Sequence, residues 1–464
     1  MKKYWLVGLL GGMALAFPGF GGEVKTDDAL DVDITLGGQV RARYDYRDNL
    51  TYGQGAVHAS DDASILRTRF NLNVKASDGI SAFVEFQDSH TDGAATTPTA
   101  TGSSGSTGDA GLVMNQAYLA IEDLFDLPVD LLAGRMNLHY GDGRVINDLQ
   151  WSNSPRHFDG ARLRYSSEDD NLWIDAAWLQ LQNRDSNAAV SALPAAPANP
   201  DDDYDVYVLY GHTEFENSKI EVYNVWEHDG LADRGGEKLG AAVFPTNIPG
   251  DLNRHTTGFL LKYQLDDFKA SFEYMHQWGN SGIDRIDADA LAFVLNYNIS
   301  DLRFEYELTS ASGDGDPNDG VDGRFKSPFH FNHKYHGYAD VVGFTNMTSH
   351  KLQVASDLNE KNTLTAAWHF FQRNEHDDSW YGANSATVLH TGKNLGGVPD
   401  SPHDGISGSR DIGQEFDIKL DHKYSKNLSF ELGWAHFMGG HLLHSSDSTL
   451  GDQDYIYLQT MFKF

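Results

Sequence analysis

Apolar and polar residues alternate one by one through most of this chain, a period of two that predicts β-strands and not helices. The alternating runs fall at roughly 33–46, 63–75, 79–88, 112–121, 129–137, 159–165, 172–180, 203–211, 219–228, 255–263, 268–277, 288–297, 302–310, 347–356, 363–372, 412–422, 428–438 and 454–464, about 18 strands in all. Short turns such as Ala76-Ser77-Asp78, Gln264 to Asp267 and Asn298 to Asp301 alternate along the chain with long polar loops. Sheets of this length without helices to cover them escape exposed edges by closing. The expected fold is therefore all-β, a single antiparallel transmembrane barrel with short periplasmic turns and long extracellular loops.

The chain's two ends agree with that solvent. Lys2 and Lys3 precede an apolar stretch, Tyr4 to Ala16, that is too short to span a bilayer, and Ala14-Leu15-Ala16 has the small-x-small form of a cleavage site. Residues 1–22 read as a signal peptide, cut after 16 or near 21–22, and 23–464 as the barrel. The closing run sets Ile456, Leu458, Thr460, Phe462 and Phe464 on one face, with Tyr455, Tyr457, Gln459, Met461 and Lys463 on the other. Its terminal Phe resembles the signal read by the barrel-assembly machinery, an expected partner along with outer-membrane lipid and lipopolysaccharide. The place expected for the protein is the Gram-negative outer membrane, where periplasmic export proteins are candidate partners.

Alternation also assigns facing. Thr68, Phe70, Leu72 and Val74 form a lipid face, which puts Arg67, Arg69, Asn71, Asn73 and Lys75 inside. Leu36, Val40, Ala42 and Tyr44 face lipid in the preceding run, and Gln39, Arg41 and Arg43 face the lumen. Around 159–165, Arg162 and Arg164 point inward. A charge on the lipid face near the midplane costs about 2–4 kcal/mol, so these choices are well constrained. Lys262, Lys269, Arg303, Lys351 and Lys419 join the inward set, and so do Glu85, Asp175, Asp205, Glu273, Glu305, Glu307, Asp417, Asp421 and Glu431. Two readings follow: paired ladders that stiffen the wall, or a concentration of Arg on the first six strands that makes one wall a track for anions.

Composition refines this picture modestly. A net charge of −32 resembles a soluble acidic protein, but only alternate strand residues of a barrel meet lipid, and 12% aromatic residues suit girdles at two interfaces. Strong acidity argues against nucleic acid as a partner. There is no Cys, hence no lipidated anchor and no disulfide. Sixteen to eighteen strands leave an aqueous channel, so a pore is the default.

The run Gly134-Arg-Met-Asn-Leu-His-Tyr-Gly-Asp-Gly-Arg144, with Trp151-Ser-Asn-Ser-Pro-Arg156 and Phe158-Asp-Gly-Ala-Arg162, resembles the core signature of the alginate export porin family of outer-membrane barrels. Arg67 to Gln87, Asn115 to Tyr118, Ser312 to Asp314, Asn332 to Tyr338 and the hairpin from Gly413 resemble other segments of that family. The resemblance implies an electropositive constriction that passes an anionic uronic-acid polysaccharide outward by passive transport. It makes Arg135, Arg144, Arg156 and Arg162 candidates for carboxylate contact beside Arg41, Arg43, Arg67, Arg69 and Arg164. The alternative is a general diffusion or uptake channel for small anions or sugars.

Asp314, Asp316, Asn318 and Asp322 have an every-second-residue spacing suited to calcium in an extracellular loop, but Phe325 stands where a bidentate Glu belongs and Asp319 where Gly belongs. A solvated turn is the competing reading, and no other cofactor is expected. His330, His333 and His336 read as surface histidines. There is no G-x-S-x-G elbow and no H-E-x-x-H, so an enzyme is not expected.

Overall fold

A computed structural model of the protein describes residues 23–25, 32–49, 60–76, 78–92, 110–182, 203–230, 251–316, 319–385, 388–390, 409–442 and 452–464. The expected signal peptide, Asn318 and the small-residue stretches 94–106 and 188–200 lie outside them.

Eighteen strands form the wall. They are β1 (Val32–Arg47), β2 (Asp61–Ala76), β3 (Ile80–Asp92), β4 (Ala110–Ile121), β5 (Val129–Met136), β6 (Phe158–Ser166), β7 (Leu172–Gln182), β8 (Tyr204–Phe215) and β9 (Ser218–Asp229). The other half comprises β10 (Leu252–Leu265), β11 (Phe268–Ser281), β12 (Asp284–Ile299), β13 (Leu302–Ala311), β14 (Met347–Asn359), β15 (Asn362–Gln372), β16 (Asp411–Lys423), β17 (Leu428–Gly439) and β18 (Gln453–Lys463). Each strand pairs antiparallel with the next, and β18 closes on β1 with Arg41 opposite Met461 and Tyr44 opposite Leu458. At the seam Gly38 and Phe464 exchange backbone hydrogen bonds of 2.9 and 3.1 Å. The segment Glu23–Lys25 pairs with β1 at Asp33 to Thr35, where β18 has already ended.

The two faces differ as the alternation requires. Phe70, Leu163, Leu209, Val222, Leu352 and Phe462 point outward and are exposed, while Arg67, Val206, Glu273, Tyr455 and Tyr457 point inward and are buried. So much exposed apolar surface suits lipid, not water. At the long-loop end an outward girdle runs through Tyr207, Trp226, His255 and Trp278 at centroid spacings of 4.8, 5.4 and 3.9 Å. Indole N–H groups at its edge donate to polar partners, as Trp178 does to Asp205 at 3.0 Å. Aromatic side chains fit this level because one end is apolar and the other wet.

Three sequence expectations are corrected. Asp205 is outward, on the face of Tyr207 and Leu209, because Val206 and Val208 are the buried residues of β8. The alternation of short and long connections breaks at β11–β12, where only residues 282 and 283 join the strands at the long-loop end. His330, His333 and His336 are buried inside the barrel, not on its surface. They lie on one of two long connections that fold inward: residues 137–157 between β5 and β6, and residues 312–346 between β13 and β14. Leu138, Tyr140 and Ile146 of the first and Phe325, Phe329, Val341 and Phe344 of the second form one apolar cluster with the inward face of β7 to β9.

Candidate functional site in the lumen

The first inward loop begins with a turn that its glycines make accessible. Gly141 and Gly143 have φ of 56° and 76°, a left-handed region costly for residues with a Cβ. Gly143 N–H donates to Tyr140 O at 2.9 Å, so the chain reverses and presents Asp142 and Arg144 to the lumen. Arg144 crosses the barrel to Glu307 on β13 at 2.8 Å and approaches Glu273 on β11 at 3.5 Å. Its guanidinium lies 3.7 Å from the ring centroid of Tyr335, on the short helix Asn332–Tyr335 of the second loop. Burial alone would lower the Arg144 pKa, but Glu307, Tyr335 and Glu273 overcome it and raise it. Burial would likewise raise the Asp142 carboxyl, yet Lys262 at 2.6 Å holds it below its usual range.

Further along, the first loop descends to Trp151. This ring stacks on His333 at 3.9 Å, meets Tyr457 edge-on at 5.0 Å and receives the Arg43 guanidinium at 4.2 Å. Both inward loops and the seam strand therefore meet at one indole.

Beneath the loops, on the short-turn half, lie two cavities that share Trp151 and Phe331. The larger, about 930 Å³, is lined by Arg144, Lys262, Lys269, Lys334, Glu305, Glu307, Tyr338 and Lys419 among others, with as many carboxylates as Lys and Arg side chains. Most of its charges are paired: Lys351 bridges Glu305 and Glu307 at 2.9 and 2.5 Å, and Lys419 lies 3.2 Å from Asp421. Lys334, at its roof, and Lys269 have no carboxylate within 4.0 Å among the described residues. Partial desolvation of the Lys334 ammonium, then Arg144 and Lys262, lower its pKa against the opposing pull of Asp142.

The second cavity, about 490 Å³, is different in sign. Its lining includes Arg41, Arg67, Arg69 and Lys463 against the single carboxylate of Glu85. Arg41 and Arg67 stand directly opposite each other across β1 and β2. Like charges in that position are destabilising, so the arrangement marks a site and not a structural ladder. No carboxylate of a described residue comes within 4.0 Å of either guanidinium, whereas Arg43 has Asp45 at 3.0 Å and Arg69 has Glu85 at 3.8 Å. The two unpaired guanidiniums donate instead to backbone carbonyls of the first loop.

The remaining candidates divide. Arg162 is in the lumen, 3.9 Å from Asp175, and Arg164 grips that same carboxylate at 2.6 and 2.8 Å while stacking on Trp173 at 4.2 Å. Arg156 donates to Asn147 O and His330 O at 3.3 and 2.9 Å, which ties the two loops together. Arg135 is corrected: it lies opposite Asp159 on the outward faces of β5 and β6 and binds that carboxylate through two contacts of 2.7 Å. The buried inward pair at this level is Met136 and Phe158.

At the proposed calcium loop, Arg324 contacts Asp322 at 2.7 Å and lies 4.0 Å from Asp314, so a resident cation already serves both carboxylates. Among the described residues a converging set of metal-ligand atoms occurs elsewhere, at His276, Asp287 and Asp289 on the outer face.

Sequence alone assigns no role to Lys334, Trp151 or Glu415, and gives Asp417 only its inward facing. Glu415 Oε1 accepts from Ala339 N at 2.8 Å and Asp417 Oδ2 from Tyr338 N at 3.3 Å, and Gly337 passes so close that a Cβ would sit 2.4 Å from the Glu415 carboxyl. These groups dock the second loop against the wall.

That docking is expected to depend on pH. Burial, then the nearby Arg156, pushes the His330 pKa down to about 4, and burial lowers His336 as well. A released loop titrates near pH 6.5, so it takes up protons that the docked loop refuses. The histidine contribution is full above pH ~6.5 and is lost as pH falls toward the folded value, up to about 3 kcal/mol for His330. Asp314 opposes this: burial raises it to about 6, so its contribution is full below pH ~3.9 and lost as pH rises through the folded value. Around the two histidines, away from the Glu415 and Asp417 contacts, amide protection of residues 330–336 should fall between about pH 6.5 and 4 in hydrogen exchange. Protection that rises on acidification contradicts the assignment.

The comparisons with known proteins place this geometry. The alginate export family model matches residues 32–454. The fold is similar to the crystal structures of Acinetobacter baumannii OccAB2 (TM-score 0.56, 12% identity, 93% of this chain and 98% of that one) and Pseudomonas aeruginosa OpdQ (TM-score 0.54, 14% identity, 93% and 98%). Pseudomonas aeruginosa OccK7 (OpdD) is similar as well (TM-score 0.52, 15% identity, 93% and 98%). At such identities the likeness speaks for the barrel alone. No curated protein matches the chain. With the family model spanning nearly all of the described barrel, the chain belongs to the alginate export family, whose fold is that of an outer-membrane channel.

Proposed function

We propose that this protein resides in the outer membrane of a Gram-negative cell and passes an anionic, uronic-acid polysaccharide outward through its lumen. The reading is of a passive channel and not an enzyme. The observation that carries it is the imbalance of the lumen wall: Arg41 and Arg67 face each other across two strands without a carboxylate among the described residues, while the charges of β13 to β16 pair off. A guanidinium in a low-dielectric wall attracts a carboxylate strongly, and its planar fork matches that group's geometry. Hydrogen bonds to neutral carbonyls leave the net charge of the guanidiniums in place. The larger cavity offers a polymer a mixed entrance, with Lys334 at its roof and the aromatic faces of Trp151 and Tyr338 beside it. Several weak sites in series let a chain enter and also leave. Lipopolysaccharide would meet the outward girdle.

The test is the reversal potential of the reconstituted channel in a salt gradient. Anion selectivity is expected, and Arg41→Glu with Arg67→Glu should shift the potential toward cations. Cation selectivity of the unaltered channel, or no response to the double reversal, contradicts the proposal. Anion selectivity without discrimination between uronate and small anions favours a general diffusion channel.

A further inference from the structure

The donors of the basic wall are spent on an unusual partner. Arg41 gives Nη1 to the carbonyls of Gln150 and Trp151 at 3.0 and 2.8 Å, and Nη2 to that of Ser152 at 3.1 Å. Arg67 Nη1 reaches the carbonyls of Gln150 and Ser152 at 2.9 and 2.7 Å, and Arg43 Nη1 reaches that of Trp151 at 3.0 Å. Arg69 adds the side-chain oxygen of Gln150 at 2.7 Å. Four cations, two on β1 and two on β2, thus converge on residues 150–152, which present only neutral acceptors.

A second observation points the same way. Among the described residues, the buried donors Arg41 Nε, Arg67 Nε and Arg69 Nη2 have no hydrogen-bond partner. Arg41, Arg67 and Arg69 are each at least nine-tenths buried. A buried charged donor left unmatched is costly. The same three side chains border the 490 Å³ cavity, so there is room for a ligand beside the carbonyls they now hold.

We propose that residues 150–152 are a resident competitor at a carboxylate-binding site, holding the donors that a carboxylate of the passing polymer takes. Anion binding at Arg41, Arg67 and Arg69 then releases the loop tip from the wall. This rests on the anionic cargo proposed above and adds its gate. The exchange favours the polymer because a charge-assisted hydrogen bond is roughly twice as strong as one to a neutral carbonyl. A ligand shifts the loop only by its preference for the released state, and a carboxylate has that preference because it and the carbonyls use the same N–H groups. Release is local. Arg144 on Glu307 and Arg156 on His330 O hold the rest of the loop, and Gln87 and Ser89 hold Asn153 O at 3.0 and 3.1 Å as a hinge.

The absence of Cys from the chain makes the test clean. Ser152 is buried, so the thiol of a Ser152→Cys variant in the reconstituted full-length barrel reports the loop tip. Saturating oligo-uronate should speed its modification by a water-soluble maleimide by about tenfold or more. A neutral oligosaccharide of equal length should leave the rate unchanged. Free monomeric uronate or acetate, tried alongside, separates a site for any carboxylate from one that demands a chain: acceleration by either supports the exchange. In a second variant carrying Arg67→Lys as well, one donor fork is lost, so the rate without ligand should rise and the uronate effect should shrink. Block of current by uronate with an unchanged labelling rate overturns the exchange and leaves the cargo standing. Equal acceleration by neutral sugar also overturns it. Neither block nor labelling change overturns both.

Discussion

Arg144→Ala should free the first inward loop from the opposite wall at a cost of about 3–5 kcal/mol, the range for breaking a buried ion pair by removing one partner. The side chain is buried, hydrogen-bonded to Glu307 at 2.8 Å, near Glu273 at 3.5 Å and stacked over Tyr335 at 3.7 Å. Its loss takes one cation from two buried carboxylates. Glu307 keeps Lys351 at 2.5 Å, and Glu273 keeps the hydroxyl of Tyr223 at 2.7 Å, so the wall itself should remain closed. The effect belongs to the loop. Protease sensitivity between residues 137 and 157 should rise sharply, and single-channel current should become noisier, while the barrel's resistance to urea stays close to that of the unaltered protein. A loop that stays protected without Arg144 shows that the apolar cluster around Ile146 and Phe329 holds it unaided.

Leu209→Arg is the second large effect, a loss of about 2–4 kcal/mol for a charge placed near the bilayer midplane. Leu209 sits in the middle of β8 and is 57% exposed on the outward face. In a water-soluble protein an exposed Leu replaced by Arg changes little, since surface substitutions stay within about 0.5 kcal/mol. The two solvents therefore predict different outcomes for one substitution. Urea unfolding from lipid vesicles reads the difference, and a near-zero change contradicts the assigned lipid face.

The strands were legible in the sequence because a closed sheet between two solvents writes its geometry as alternation. Ile456, Leu458 and Phe462 are outward and Tyr455 and Tyr457 inward, as their period of two requires. Legibility fails where the lumen is filled. In β8, Val206 and Val208 pack against the inward loops while Tyr207 and Leu209 face lipid, so both faces are apolar and the facing of Asp205 is ambiguous. The same holds in β5, where Leu131, Leu132, Ala133 and Met136 leave Arg135 without a phase. The register against β6 decides it, setting Arg135 beside Asp159 and Met136 beside Phe158. A doubly apolar strand in a wide barrel is thus itself a sign of a loop folded inside.

The candidate site was half legible for a related reason. Alternation placed Arg41, Arg43, Arg67 and Arg69 on the lumen face correctly. It carried no information about the acceptors that all four share, which come from a loop more than 80 residues away in sequence from each of these side chains. The lumen charges differ by wall: ladders of paired charge run along β13 to β16, whereas Arg41 and Arg67 on β1 and β2 stand opposite each other with no carboxylate within 4.0 Å among the described residues. The histidines at 330, 333 and 336 misled because polar loops are ordinarily outside. Here their ring nitrogens meet Ser327, Asn332 and Asp340 within the plug, as His333 does Asp340 at 2.9 Å.

In the proposed function the lumen selects a carboxylate-bearing chain. Its most direct test is concentration-dependent block of single-channel current by oligo-uronates added on the short-turn side, beside neutral oligosaccharides of equal length. Block by the uronates alone is expected, deepening with chain length and weakened by Arg41→Glu with Arg67→Glu. Equal block by the neutral chains, or none by the uronates at any length, would contradict it.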